Sequence, residues 1–185
     1  MILNFILYMT NFAFCHQALT ILAPYEPKIE QLYVCEMLLD EAESFGLDKS
    51  LVLATSWRET RLFMKNQPNT SGCAGPLQIK VKYWCPNSDG LWNISRQDGS
   101  LQSCDLITQG LFALKYYIKK DLTLKEKLCH FGPAYKCKCI FGTYKTSRLK
   151  RYNCSKLSNK KIKNAKQYVN KIIKDFNKIT RMNND

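Results

Sequence analysis

The sequence predicts a mainly α fold, a helical body carrying a small Gly/Pro-rich lobe. Two observations carry the prediction. Four segments repeat apolar residues at helical spacing: 24–46, 48–62, 105–120 and 159–180. Between them, Thr70 to Ser103 has little periodicity and holds Gly72, Gly75, Pro76, Pro86, Gly90 and Gly99.

In the first segment Pro27 suits a helix start, and Ile29, Leu32, Cys35, Leu39, Ala42 and Phe45 form one stripe that Gly46 ends. In the second, Asp48 is a natural N-cap. Leu51, Thr55, Glu59 and Leu62 then recur at helical spacing, with Ala54 and Arg58 alongside. Glu59 therefore falls on or beside the face that packs. Burial disfavours the charged carboxylate and raises its pKa, which is how a Glu becomes a general acid near neutral pH. The plainer alternative is a surface Glu paired with Arg58 or Arg61. Leu77 to Val81 is expected to be extended. In the third segment Leu106, Gly110, Ala113, Leu114 and Tyr117 keep the period, and Gly110 allows close approach to the core. Thr123 to Gly142 is read as the least regular part. In the last segment Ile162, Ala165, Val169, Ile172, Phe176 and Ile179 make the packed stripe, and Lys160, Lys163, Lys166, Lys171, Lys174 and Lys178 occupy other, solvated faces.

A chain of 185 residues is one domain, or one domain and a tail. Its formal net charge of +13 calls for an anionic partner: nucleic acid, an acidic membrane surface or an acidic polymer. Zinc-finger spacing, an RRM signature and a basic heptad region are all missing, so nucleic acid is not expected. Residues 1–18 are apolar from Ile2 to Phe14 and fit a signal-peptide core, with cleavage after Cys15 or Ala18. An N-terminal anchor and a packed first helix are the alternatives. The folded domain is expected over 24–180, with 181–185 as a tail. Cleavage after Cys15 would leave eight of the nine cysteines, an even set with 105 pairings. Such usage fits an exported, disulfide-bonded domain, and a Cys85–Cys104 bond is a plausible pin for the loop between them. The rival is a metal site on Cys129, His130, Cys137 and Cys139, but Cys-Lys-Cys is tight for one zinc. No metal and no cofactor are expected.

The stretches LATSWRET and SGCAGPLQI together resemble the signature of the soluble lytic transglycosylase family, whose domain is similar to goose-type lysozyme. Glu59 falls on the family's catalytic glutamate, with Thr60 where serine is usual. Ser71 stands as the counterpart of the motif's serine, with its spacing to the glycine compressed, and Gly72, Gly75 and Gln78 fall on its glycines and glutamine. Cys73 replaces Ala, and Pro76 and Leu77 replace Leu and Met. ITQGLFALKYY is similar to the family's Gly-containing helix. LCHFGP stands where the family has A-Y-N-x-G-P, so Cys129 replaces Tyr and His130 replaces Asn. His130 either binds sugar or caps a helix. AKQYVNKII resembles the closing helix, which puts Tyr168 on a tyrosine that lines the sugar cleft, or at the edge of the core.

The resemblance runs from Ile29 to Phe176. It implies an α+β lysozyme-like fold with a cleft between body and lobe. It also implies an enzyme that cuts the β-1,4 bond between N-acetylmuramic acid and N-acetylglucosamine in peptidoglycan. Glu59 would be the sole catalytic carboxylate, Ser71, Gln78, His130 and Tyr168 would bind substrate, and the product would be 1,6-anhydro. A hydrolytic goose-type-like lysozyme and a cationic envelope-binding protein are the alternatives. Glycosidases more often use two carboxylates, and Asp89, Asp98 and Asp105 are the candidates for a second. The expected setting is the periplasm or cell exterior, or the membrane if the N-terminus stays as an anchor. The expected partners of this monomer are glycan strands and, in a further variant, a secretion or conjugation machine.

Overall fold

The structure, a computed structural model, describes residues 2–85, 104–132, 137–141 and 157–182, and only the backbone of 2–10 and of Lys138. It is mainly helical, as the periodicity predicts. The elements are α1 (Ile2–Leu22), α2 (Ile29–Ser44), α3 (Lys49–Thr60), β1 (Cys73–Ala74), β2 (Ile79–Lys80), α4 (Val81–Trp84), α5 (Leu106–Ile118), α6 (Leu124–Phe131), α7 (Cys137–Phe141) and α8 (Asn159–Met182). The strands pair antiparallel, Cys73 opposite Lys80 and Ala74 opposite Ile79.

Helix α3 is the centre of the core. Asp48 caps it, its carboxylate accepting the Leu51 N–H at 3.0 Å. Every residue from Ser50 to Trp57 is buried, because α2 packs on one side and α8 on another. A helix enclosed on several sides buries more than one stripe. The same holds for α2, which meets α1, α3 and α5. Val34 and Leu38 join its buried face, whereas Ile29, expected in the stripe, is 87% exposed at the first helical position. In α8 the expected stripe is observed, with Ala165, Val169, Ile172 and Ile179 buried.

The N-terminal stretch read as a leader is a helix packed against α2 and α8. Cys15, Ala18 and Leu19 are fully buried. Asn11, also buried, donates to Asp40 at 2.7 Å and accepts from Lys49 at 3.2 Å. Cys15 is bonded to Cys35, so removal of residues 1–15 would strip Cys35 of its partner. The expected even set of eight is thereby replaced. Cys85 pairs with Cys104 as anticipated, and Cys129 pairs with Cys137. Cys139 is disulfide-bonded too, and Cys73 is the free thiol among the described residues. The Cys129–Cys137 bond takes two ligands from the rival metal site. Three disulfides fit an oxidising, exported environment, and no described helix is long and apolar enough to cross a membrane.

Residues 123–131 are more regular than expected. Thr123 and Glu126 form a capping box at the start of α6: Thr123 Oγ1 accepts the Glu126 N–H, and Glu126 Oε2 accepts the Thr123 N–H at 3.0 Å. At Gly75 the chain takes φ +78°, and a Cβ there would lie 2.9 Å from Leu106 Cβ. Only glycine lets this turn lie against the start of α5. Gly110 meets the same turn from α5, where a Cβ would lie 3.0 Å from Leu77 Cδ1 and 3.2 Å from its Cβ.

Candidate active site

Glu59 occupies the last turn of α3, beyond the fully buried run. Its backbone is held from two directions. Arg61 (φ 61°) and Leu62 (φ 60°) follow it in the left-handed region, which costs non-glycine residues of order 1–3 kcal/mol each. Gln31 of α2, itself buried, offsets part of that by donating to the Arg61 carbonyl at 2.7 Å, while Leu62 is fully buried. On the other side, Ser56 and Thr60 both donate to the Pro76 carbonyl, each at 3.1 Å. These two buried hydroxyls tie the Gly75–Pro76 turn to the helix that carries Glu59. Thr60, at the end of α3, is thus a tether.

The loop opposite is organised by Asn69. Its Oδ1 accepts the N–H groups of Ser71 (2.8 Å) and Cys73 (3.1 Å), and its Nδ2 donates to Gln78 Oε1 (2.8 Å). Gln78 has φ 48° and donates from Nε2 to the Gly75 carbonyl at 3.0 Å. Two amide side chains therefore fix the wall that faces Glu59.

The wall and α3 enclose a groove of about 640 Å³, lined among others by Glu59, Asn69, Ser71, Gln78, Asn164 and Tyr168. An adjoining hollow of about 490 Å³ includes Tyr83, Trp84, Tyr117 and His130. Both are bounded by Cys73, Gln78, Lys80, Phe131 and Gly132, so they lie side by side. Four of the five residues anticipated from sequence, Glu59, Ser71, Gln78 and Tyr168, thus share one groove. His130 lies in the adjoining hollow, its ring parallel to that of Tyr117 at 6.3 Å. Trp84 packs edge-on against Phe112, Tyr116 and Tyr117 and still lines that hollow. Asp89 and Asp98 lie outside the described residues. Asp105 is the N-cap of α5, accepting from Ile107 and Thr108, and does not line the groove. Glu59 is the single carboxylate among the described lining residues.

Tyr168 of α8 donates its hydroxyl to Glu59 Oε1. It reaches that position because residue 132 is glycine: a Cβ there would stand inside the tyrosine ring. The Glu59 pKa is pushed up from 4.5 to about 7 by burial, against the opposing pull of the Tyr168 bond and of Arg58. Burial and the neighbouring Glu59 charge raise the Tyr168 phenol well above its ordinary range, so it stays a donor. No ion pair joins Glu59 to Arg58 or Arg61 among the described residues; Arg61 lies over the Trp57 ring at 4.7 Å. The surface-pair alternative is thereby removed. Chemically, the site offers one carboxyl close to half protonated at neutral pH, oriented by a phenol, at the side of a groove.

Sequence reasoning missed Asn69, Lys80, Gly132 and Asn164 as lining residues. Asn69, in the polar run NTSG, carried the turn signal that could have marked it. Gly132 stood in the Gly-Pro pair of LCHFGP, and Lys80 and Asn164 had no such signal. Comparison with family models, with curated proteins and with solved structures found no match for this chain.

Proposed function

We propose that the protein is a peptidoglycan-cleaving enzyme, a lytic transglycosylase in which Glu59 is the only enzyme carboxylate that reacts. The single observation that carries this reading is a carboxyl whose pKa is raised to about 7 on the side of an open groove, held there by Tyr168. A group with that pKa gives up a proton and takes one back at the same working pH. The motif resemblance supplies the substrate. Protonated Glu59 donates to the glycosidic oxygen between N-acetylmuramic acid and N-acetylglucosamine. The muramoyl N-acetyl group stabilises the positive centre. Glu59, now charged, takes the proton of the muramoyl C6 hydroxyl as that oxygen closes the anhydro ring. The proton balance closes on one residue, which fits the lack of another carboxylate among the described lining residues.

In this reading Gln78, held by Asn69, and Ser71 present polar groups to the sugar, and His130 serves the adjoining hollow. A glycan-cutting role also fits export through an oxidising compartment. Mass spectrometry of purified peptidoglycan treated with the oxidised protein gives the test. Anhydromuramoyl ends are expected; ends carrying an added water would make the protein a lysozyme, and an unchanged glycan would leave only a binding role.

Tyr168→Phe gives a second check. The variant loses the hydrogen bond that lowers the Glu59 pKa, so Glu59 stays protonated to higher pH. The alkaline limb of the pH–activity profile then moves upward from its native position near 7. An unmoved limb would mean that the phenol does not act on Glu59.

A further inference from the structure

Helix α8 does more than close the core. With 3.6 residues per turn, Lys160, Lys163, Lys171, Lys174, Lys178 and Arg181 fall within a sector of roughly 80°. All six are exposed, and they lie opposite the buried face of Ala165, Val169 and Ile172. At 1.5 Å per residue the stripe is about 32 Å long. Gln167 fills its one gap, and the sector holds no acidic and no apolar residue. Among the described residues none of the six is in an ion pair. Asp175, the one acid of α8, lies outside the sector; burial raises its pKa against the pull of Lys178, Arg61, Arg58 and Lys174, so it offsets part of the charge at that end of the stripe. Asn164, which lines the groove, borders the stripe on the helix surface.

A straight row of cations with no carboxylate within it recognises a linear polyanion by charge complementarity. A bilayer is a poorer match. Helices that lie in a membrane interface sink an apolar face into it, and the apolar face of α8 is spent on the core. Nucleic acid is disfavoured by the disulfides, which belong to an oxidising compartment. We propose that this face of α8 docks a linear polyphosphodiester of the cell envelope, laid along the helix beside the groove. The cleavage reading enters only in saying where such a polymer is met; docking itself is measured without cleavage.

The probe is poly(glycerol phosphate), titrated into the full oxidised chain over a range of salt. Two triple variants remove the same charge: K160Q/K171Q/K178Q from the stripe, and K82Q/K119Q/K125Q from elsewhere. The stripe variant is expected to bind at least about tenfold more weakly at low salt. Its salt slope should be shallower by about two to three, by analogy with the counterion release of nucleic acids. The other variant should stay within about twofold of native, since its lysines lie outside the row. Equal losses in both would show bulk charge and overturn the proposal. So would tighter, stripe-dependent binding of a single-stranded oligonucleotide or of phosphatidylglycerol vesicles. The stripe variant should cut phosphate-free glycan as the native protein does. A native protein that cuts nothing yet binds the polymer through the stripe would refute the cleavage reading alone.

Discussion

Glu59→Gln leaves a folded protein that binds glycan strands and does not cut them. The glutamine keeps an oxygen for the Tyr168 hydroxyl and fills the same space, so the groove persists. What it lacks is a transferable proton, and losing a positioned general acid costs roughly 10²–10⁴-fold in rate. The same substitution should stabilise the fold, with a definite pH dependence. The folded pKa of Glu59, about 7, lies above the ordinary 4.5. Its native environment therefore favours the protonated form, and stability is lost as pH rises from 4.5 through 7. Above that window the ionised carboxylate costs the native protein roughly 1–3 kcal/mol, allowing for the water that reaches it through the groove. Glu59→Gln should melt at a higher temperature than native at about pH 8, with that gap closing by about pH 4. Cleavage at the native rate would rule out the proposed role, and a gap that widens toward acid would contradict the assigned pKa direction.

Gly132→Ala is expected to have the next largest effect. The new Cβ would stand where the Tyr168 ring now lies, and either that ring or the end of α6 must move. Overpacking of this kind costs about 1–3 kcal/mol. Displacing the ring breaks the Tyr168–Glu59 bond, so cleavage should fall at least about tenfold and Glu59 should titrate higher. Adding Tyr168→Ala removes the clash. Gly132→Ala should therefore cost less stability in the Tyr168→Ala background than in the native protein, without restored cleavage. A Gly132→Ala protein with native rate and native pH profile would mean that the contact does not position the tyrosine.

Much of this arrangement was legible residue by residue. Asp48 declared a helix start, the stripe from Ala165 to Ile179 declared a packed face, and Glu59 stood beside apolar neighbours at helical spacing. Local patterns carry such information because a cap or a period involves residues within a turn or two. Contacts across the chain were not legible in the same way. Tyr168 and Glu59 are 109 positions apart, and α8's period places Tyr168 only at the edge of its stripe. Residues 1–18 were ambiguous for a different reason: an apolar run of that length suits a leader and a buried helix equally, and in the structure Asn11 and Cys15 contact α2 and α3. The α6 capping box is present as Thr-Leu-Lys-Glu, but the helix it starts is only eight residues long, too short for an apolar period to mark it. Four left-handed non-glycine residues, Arg61, Leu62, Lys65 and Gln78, crowd the segment between α3 and β2. Nothing in their side chains announces that conformation, since the surrounding hydrogen bonds and packing impose it.

The central claim is that Glu59 holds its proton into the neutral range, on the side of a groove. It is tested most directly by carbon NMR titration of selectively labelled glutamate carboxyls, with Glu59→Gln assigning the signal. The account predicts a Glu59 midpoint near 7 in the oxidised native protein. A midpoint near 4.5, that of an ordinary exposed glutamate, would contradict it.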